Sequence, residues 1–426
     1  MSKANPPTGK PKRHRPNWLT ALGPGLVTGA ADDDPSGIAT YSQAGAAFGL
    51  SLLWTVVLTL PFMAVFQSIC ARIARVTGVG LARNIRTLLP MPVTILLVVL
   101  LLAANIFNMA ADIAAMGAAA KLVTGLPVGP QALVLAQLSL GLQLFVPYHR
   151  YVGLLKWLTL SLFAYVAVVM VVGAPWAKVA QAILFPRFVA DAGMATMVVA
   201  VFGTTISPYL FFWQSAQEIE EMGLHGKPSL LSRPEPARRE FARIGIDTWV
   251  GMAFSNIVAL AIMLATAVTL NANGITTIAT AADAAAALRP IAGDFAFALF
   301  AIGIVGTGLL AVPVLAGSAA YALAELMGWR AGLELKPREA AGFYGVIFAA
   351  VAAALALDLI GIDPIKALFW SAVVNGLVAV PVMLAIMLLA SRRAVMGQFR
   401  VRGAQAVLGW GAAGLMALSA AVMFLA

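Results

Sequence analysis

Three consecutive aspartates and a proline interrupt an otherwise apolar stretch near the start of the chain, GAADDDPSGIATYSQAGA at residues 29–46. A carboxylate at membrane depth is costly and is usually functional. Carboxylate oxygens are hard ligands of the kind that Mg²⁺, Ca²⁺ and Mn²⁺ prefer. Asp34, which directly precedes Pro35, is therefore the first candidate for binding a cation. Asp32 and Asp33 are expected to line the entrance to this site, to face water or to cap a helix.

A second acid, Asp112, lies in another apolar segment, NIFNMAADIAAMG. Asn108 and Asn105 precede it by four and seven residues, so all three side chains share one face of a helix. Asp112 has three interpretations at this stage. It raises the cation potential of a vestibule, carries a proton, or is a neutral acid that hydrogen-bonds to its neighbours.

Composition shows what surrounds these acids. Of the 426 residues, 61% are hydrophobic and only 11% are charged, and the mean hydropathy is +0.90. Soluble domains carry about 25% charged residues, and a bilayer-spanning helix needs about 20 apolar residues. The chain is therefore predicted to be an all-α polytopic membrane protein with eleven spans. These are 18–48, 51–76, 91–119, 130–147, 150–173, 193–221, 243–270, 290–327, 338–358, 364–390 and 403–425.

The basic residues predict how the spans are oriented, because positively charged loops stay in the cytoplasm. With the N-terminus inside, 23 of the 28 Lys and Arg residues fall in cytoplasmic segments. An odd number of spans then places the C-terminus outside, and the expected location is the cell (inner) membrane. The net charge of +10 suits basic loops that meet an anionic leaflet, so the lipid bilayer is the expected partner and nucleic acid is not.

Two of the spans have sequences that break helices. Pro35 interrupts the first span, and Gly203 to Ser207 lead into Pro208 in the sixth. Proline lacks a backbone donor, and irregular backbone at membrane depth is tolerated only beside protein or a water-filled cavity. Because these spans open two five-span sets that run in opposite directions, they indicate a transporter with inverted repeats and a site at the midplane. The predicted parts are a basic tail at 1–17, repeats at 18–173 and 193–390, an external connection at 174–192, and a final loop and span at 391–426.

The first broken segment resembles that of the NRAMP family of divalent-metal transporters. The similar residues are Asp34-Pro35, Ala39-Thr40 and Gln43-Ala44-Gly45 in the first span, and Thr204 to Tyr209 with Ser215 in the sixth. The resemblance implies the LeuT-type fold, with a metal ion as substrate, no cofactor and no enzymatic activity. It also implies a metal site formed by Asp34, Gly37, Thr204, Ser207 and Asn375, with Asp33, Asp112 and Tyr209 as vestibule or proton-site residues.

Departures from the family pattern change the expected ion. The family's Asn, Met and His are Gly37, Ser207 and Tyr209 here, and the Glu of its Asp-x-x-Glu pair is Ala115. Loss of the thioether removes a soft ligand and favours hard ions, which resembles the NRAMP-related magnesium transporter branch. A phenol is a poor proton carrier near neutrality. The sequence thus predicts a monomeric transporter of Mg²⁺, and also of Mn²⁺, by alternating access without tight proton coupling.

Three other functions share features with this sequence. A proton-coupled Mn²⁺/Fe²⁺ transporter of the NRAMP type and a LeuT-type carrier of a small organic substrate both share the architecture. An intramembrane aspartyl protease is excluded because the segment around Asp294, PIAGDFAF, lacks the expected Gly-x-Gly-Asp. The three histidines, His14, His149 and His225, fall in cytoplasmic segments, where they cannot serve as midplane proton relays.

Overall fold

The computed structural model describes residues 24–146, 159–186, 192–358, 361 and 363–425, and this part of the chain is helical, without β-strands. Eighteen α-helices are numbered in chain order. They are α1 Pro24–Asp32, α2 Pro35–Phe48, α3 Leu53–Thr77, α4 Leu81–Leu88, α5 Met91–Thr124, α6 Val128–Phe145, α7 Phe163–Val172, α8 Trp176–Leu184, α9 Ala192–Thr205, α10 Pro208–Leu224, α11 Ala237–Thr269, α12 Ala281–Ala286, α13 Arg289–Ala292, α14 Ala296–Met327, α15 Ala341–Asp358, α16 Pro364–Ser391, α17 Arg393–Met396 and α18 Ala404–Leu425.

Both predicted breaks are present. The first span divides into α1 and α2, and the helix resumes with Pro35 at its first position and Asp34 as its N-cap. The sixth span divides into α9 and α10. Helix α10 begins at Pro208 and has Ser207 as its N-cap. Proline starts a helix well because its missing N–H is not needed in the first turn. Each proline therefore prevents the first half of its span from continuing and begins the second half.

The count of spanning helices differs from the predicted eleven. In the described ranges nine helices are long and apolar enough to cross a membrane, or ten when the bent pair Leu160–Val172 and Trp176–Leu184 counts as one. With the bent pair counted as the predicted fifth span, the remaining difference of one arises because the 43-residue stretch Pro35–Thr77 contains half of the predicted first span and all of the second. Crossing a bilayer takes about 20 residues, so this stretch is long enough for two crossings.

Only some of the predicted segments lie within the residues that the structure describes. The basic tail at 1–17 and the beginning of the predicted fifth span lie outside the described residues. The predicted external connection at 174–192 contains a helix, α8, which bends by 116° from the segment before it. The division into two repeats stays a prediction.

Glycines bring the two broken spans close to their neighbours. A Cβ at Gly203 of α9 would overlap the backbone of Ala372 in α16, and a Cβ at Gly29 of α1 would overlap that of Gly251 in α11. Small residues let membrane helices approach closely, where packing rather than hydrophobicity holds them together. The half-helices α1 and α9 are thus held against α11 and α16, which fixes the position of the two breaks.

Candidate metal site

Asp34 is held in place by the start of its own helix. Its Oδ1 accepts a hydrogen bond from the backbone N–H of Gly37 at 2.7 Å, and its side chain is buried. This contact satisfies one of the free N–H groups of the first turn and places the carboxylate at the positive end of the helix dipole. One oxygen of Asp34 is therefore committed to α2, and the other faces the rest of the site.

The second oxygen of Asp34 receives donors from two other helices. Asn108 Nδ2 of α5 donates to Oδ2 at 2.9 Å, and the Tyr209 hydroxyl of α10 lies 3.4 Å from the same atom. The same hydroxyl lies 3.3 Å from the carbonyl of Ala31 at the end of α1, and its single hydrogen is available to either of these two acceptors. Tyr209 thus contacts both sides of the first break from the second broken span.

Asn108 connects Asp34 to two further candidate residues. Its Nδ2 lies 3.3 Å from Asp112 Oδ2, and its Oδ1 accepts a hydrogen bond from Asn375 Nδ2 of α16 at 3.3 Å. All four side chains are buried. The structure therefore brings together Asp34, Asp112 and Asn375, which the sequence separates by up to 341 positions, and it does so through a residue that the sequence motifs assigned no role.

The second break contributes Thr204 and Ser207 in different ways. Thr204 Oγ1 is buried without a hydrogen-bond partner, and a Cβ built at Gly37 would lie 3.2 Å from it. The Ser207 hydroxyl lies 2.9 Å from the carbonyl of Gly203 and 2.7 Å from that of Thr204, to which it can donate. Thr204 thus faces Gly37 across the two breaks, whereas the hydroxyl hydrogen of Ser207 is used within its own span.

Asp32 and Asp33 do not face water. Both are buried, and both contact the hydroxyl of Ser255 in α11, Asp32 Oδ2 at 2.8 Å and Asp33 Oδ1 at 3.1 Å. Neither faces water because α11 packs over the end of α1, and a role in the entrance to the site stays a prediction. Neither is the N-cap of α2, because Asp34 occupies that position.

Asn108 is the main site residue that sequence reasoning missed. Its spacing of four residues from Asp112 placed both side chains on one helix face, and this was the available signal. The partner on a different helix, Asp34, was not predictable from spacing. Of the three histidines, His225 is exposed and contacts the carbonyl of Glu221, and the other two lie outside the described residues.

The atoms that this site offers to a metal ion are oxygens. Within the described ranges, no group of three or more His, Cys, Asp or Glu side chains could hold a metal ion. The site instead offers the Asp34 carboxylate with buried oxygens that lack a hydrogen-bond donor, namely Thr204 Oγ1, Asn375 Oδ1 and Asp112 Oδ1. Buried polar atoms are rarely left unsatisfied. A hard cation as substrate would satisfy such a set.

Two broken helices that meet at a buried carboxylate, inside a bundle of apolar spans, define a multi-pass membrane transporter of the LeuT type. Residues 25–426 match the family described as natural resistance-associated macrophage protein-like. The chain belongs to this Nramp family, as the motifs at Asp34 and Thr204 indicated. The family consists of transporters rather than enzymes, which agrees with the exclusion of a protease.

Individual relatives match along most of the sequence. It is 30% identical over 412 residues to a divalent metal cation transporter MntH of Acidiphilium cryptum, a match that covers 93% of this chain and 88% of that protein. A protein of the same name from Verminephrobacter eiseniae is 27% identical over 398 residues, covering 90% of this chain and 84% of the relative.

Solved structures show the same fold. A manganese transporter of Eremococcus coleocola, solved in complex with an aromatic bis-isothiourea substituted compound, superposes with a TM-score of 0.73 at 17% identity, covering 96% of this chain and 87% of that one. Mhp1, a nucleobase-cation-symport-1 family transporter in a closed conformation, gives a TM-score of 0.55 at 13% identity, covering 95% and 92%.

Proposed function

We propose that this protein transports divalent metal ions, with Mn²⁺ as the first candidate, by alternating access around the two helix breaks. The observation that carries the proposal is the position of Asp34, a buried carboxylate at one break with donors from α2, α5 and α10. The names of the relatives, divalent metal cation transporter and manganese transporter, support the same substrate class.

The site supplies a negative charge and oxygen ligands, which replace the water that a dication loses on binding. A charge transferred into a low-dielectric interior costs many kcal/mol unless it is paired and coordinated. Asp34 provides the pairing charge, and the surrounding amide and hydroxyl groups provide neutral oxygens. Because Asp34, Thr204 and Asn375 are all buried, an ion reaches them only when the helices on one side move apart. This requirement is the reason for proposing alternating access.

Mg²⁺ is the second candidate ion. The ligand set contains oxygen and lacks the thioether of the family's Met, which favours hard ions over soft ones. Mg²⁺ usually keeps several waters and binds one or two carboxylates. The relatives fit the alternative, Mn²⁺, better than they fit a preference for Mg²⁺. Competition between the two ions in one uptake assay ranks them directly.

Proton coupling is proposed along with Mn²⁺ transport, in place of the uncoupled transport that the sequence predicted. The relatives named above give no support to uncoupled transport. Asp112 is a buried carboxylate connected to Asp34 through a single side chain, Asn108. Among the residues that the structure describes, Asp112 forms no ion pair that would fix its charge, so it is the candidate group for carrying a proton.

We also propose that the protein lies in the inner membrane with its N-terminus in the cytoplasm. The segments with most of the basic residues meet at one end of the bundle. Arg72 donates to the carbonyl of Phe399, Arg75 to that of Pro228 and Arg86 to that of Leu326. The loops after α3, α10, α14 and α16 therefore share one side, as the excess of basic residues in cytoplasmic loops requires.

Replacement of the proposed ligand tests this function. Uptake of Mn²⁺ into proteoliposomes is compared for the wild type, Asp34→Ala and Asp294→Ala, an exposed aspartate outside the site. We expect Asp34→Ala to retain less than about a tenth of wild-type uptake, the factor that 1.4 kcal/mol represents. Asp294→Ala should transport normally. Wild-type liposomes that accumulate no divalent ion would refute the proposal and favour a carrier of a small organic substrate.

A further inference from the structure

The side-chain amide of Asn108 uses both of its N–H groups on carboxylates. Nδ2 lies 2.9 Å from Asp34 Oδ2 and 3.3 Å from Asp112 Oδ2, while Oδ1 accepts from Asn375 Nδ2 at 3.3 Å. An amide nitrogen has two hydrogens and an amide oxygen has two lone pairs. Asn108 therefore presents its positive end to two acids and its negative end to Asn375.

This orientation conflicts with binding of a cation between Asp34 and Asp112. Asp34 Oδ1 accepts from the N–H of Gly37 at 2.7 Å, and Oδ2 is the oxygen that Asn108 contacts. Mg²⁺ binds its oxygens at about 2.1 Å. A carboxylate oxygen has two lone pairs and can keep one hydrogen bond while it binds a metal ion. An ion between the two acids, however, lies where the Asn108 amide directs its N–H groups, so for this position the donor has to leave as the ion arrives.

Rotation of the amide resolves the conflict with little movement of other atoms. The NH₂ and oxygen of an asparagine side chain are nearly the same size, so a half turn exchanges them in place. After the turn, Asn108 Oδ1 faces Asp34 and Asp112, and Nδ2 faces Asn375. An amide oxygen that faces two carboxylates is unfavourable unless a cation lies between them. The turned orientation is therefore stable only with an ion bound.

Asn375 has an unpaired oxygen that can accept a hydrogen bond from Asn108 after the Asn108 amide has turned. Its Oδ1 is buried and has no hydrogen-bond partner, although its Nδ2 is used. If the amide of Asn375 turns as well, Oδ1 replaces Nδ2 as the atom facing Asn108 and accepts the N–H that Asn108 now directs toward it. The pair then keeps a hydrogen bond of reversed direction in both states.

We propose that Asn108 is an oxygen ligand of the transported cation, reached by a joint half turn of the Asn108 and Asn375 amides. The inference rests on the proposed function, since it assumes that a divalent ion binds at Asp34. Without an ion, the Asn108 amide holds the two acids with its N–H groups. With an ion, it contributes a neutral hard oxygen to a site that has few protein ligands.

Binding measurements on purified full-length protein test the role of Asn108 separately from transport. The dissociation constant for Mn²⁺ is measured by calorimetry for the wild type, Asp34→Ala, Asn108→Leu and Asn108→Asp. Asn105→Leu is the matched control, because Asn105 lies one turn earlier, is equally buried, and donates to Leu315 and Ser318 rather than to the site. Folding of each variant is checked by size-exclusion chromatography.

The aspartate variant separates a ligand from a donor. Asn108→Leu should weaken Mn²⁺ binding by about 10- to 100-fold, the effect typical of removing a group that supports a metal site. Asn108→Asp keeps an oxygen at the position and should bind Mn²⁺ within about threefold of wild type or more tightly, whereas Asn105→Leu should match wild type. If Asn108→Asp is as weak as Asn108→Leu, Asn108 acts only as a donor to Asp34 and the proposal is overturned.

Failure of the proposed function has a different signature. In that case the wild type itself does not bind Mn²⁺, or Asp34→Ala binds as well as the wild type. A second measurement needs no variant: infrared difference spectra of wild-type protein with ¹³C-labelled asparagine, recorded with and without Mn²⁺. Coordination shifts the amide carbonyl band of a labelled asparagine to lower frequency. An unchanged band in protein that has bound Mn²⁺ overturns the proposal.

Discussion

Gly37 and Thr204 face each other across the two helix breaks, and a Cβ built on Gly37 would lie 3.2 Å from Thr204 Oγ1. The same Cβ would lie 3.4 Å from the carbonyl oxygen of Asp32. The N–H of Gly37 also holds the Asp34 carboxylate. The small size of this residue therefore lets the second break approach the first beside the proposed ligand.

Enlarging Gly37 should impair transport. Gly37→Ala pushes Thr204 or the end of α1 by a few tenths of an ångström, and we expect Mn²⁺ uptake at low ion concentration to fall by about 3- to 10-fold, equal to roughly 1 kcal/mol. Gly141→Ala in α6 is the control, since its Cβ would meet nothing within 4 Å. Uptake by Gly37→Ala that equals that of the control would show that the breaks need not approach this closely.

Replacing Ser207 by methionine should change ion selectivity. The substitution removes the hydroxyl that contacts the carbonyls of Gly203 and Thr204 and adds a soft ligand with a larger volume. Inhibition of Mn²⁺ uptake by Cd²⁺ should then strengthen by about tenfold, and inhibition by Mg²⁺ should weaken. Ser139→Met, at a buried position in α6, controls for the added side chain. Unchanged Cd²⁺ inhibition would mean that residue 207 does not reach the ion.

Asp112 should determine whether metal uptake carries protons. In proteoliposomes with the voltage clamped by potassium and valinomycin, we expect Mn²⁺ uptake by the wild type to acidify the lumen. Asp112→Asn preserves the shape of the side chain and its contact with Asn108 but cannot release a proton, so it should abolish acidification. Acidification by the variant that still scales with uptake would assign the proton to another group. Uptake without acidification in the wild type would restore the uncoupled interpretation.

Arg243 should stabilise the end of the bundle where the basic loops meet. It contacts Glu218 at 2.6 Å, Glu221 at 3.1 Å and Glu240 at 3.3 Å. The side chain of Glu218 is 2% exposed and that of Arg243 is 24% exposed. Without Arg243, the buried Glu218 keeps only the longer contact of 3.9 Å with Arg75. Arg243→Ala should therefore lower the free energy of unfolding by about 2–4 kcal/mol.

Arg233→Ala is the matched comparison for that measurement. Its ion pair with Glu235 spans 3.7 Å, and the two side chains are 70% and 74% exposed. Solvent screens such a pair, so the change should stay within about 0.5 kcal/mol. Both variants are compared by chemical unfolding in detergent. Equal stability of Arg243→Ala and Arg233→Ala would show that the buried contacts contribute no more than an exposed pair.

Local chemistry along the sequence was sufficient to predict the membrane class, the two broken spans and the family. Apolar runs of bilayer length and prolines at 35 and 208 act through the backbone around them, so their effect does not depend on distant residues. The matching motifs at the two breaks led to the same family that the relatives show. Asp34 is predicted as a ligand for the same reason, since a charge in such a run is usually functional however the helices pack.

Tertiary structure decided which atoms meet at Asp34. Asn108 lies 74 residues from Asp34 and 267 residues from Asn375 in sequence, and their contacts depend on how α5 and α16 are rotated about their axes. The packing of α11 decides that Asp32 and Asp33 are buried against Ser255. The packing of α9 decides that the Ser207 hydroxyl forms its hydrogen bond within its own span. Sequence spacing specifies which side chains share a helix face, but packing between helices selects the neighbour that the face meets.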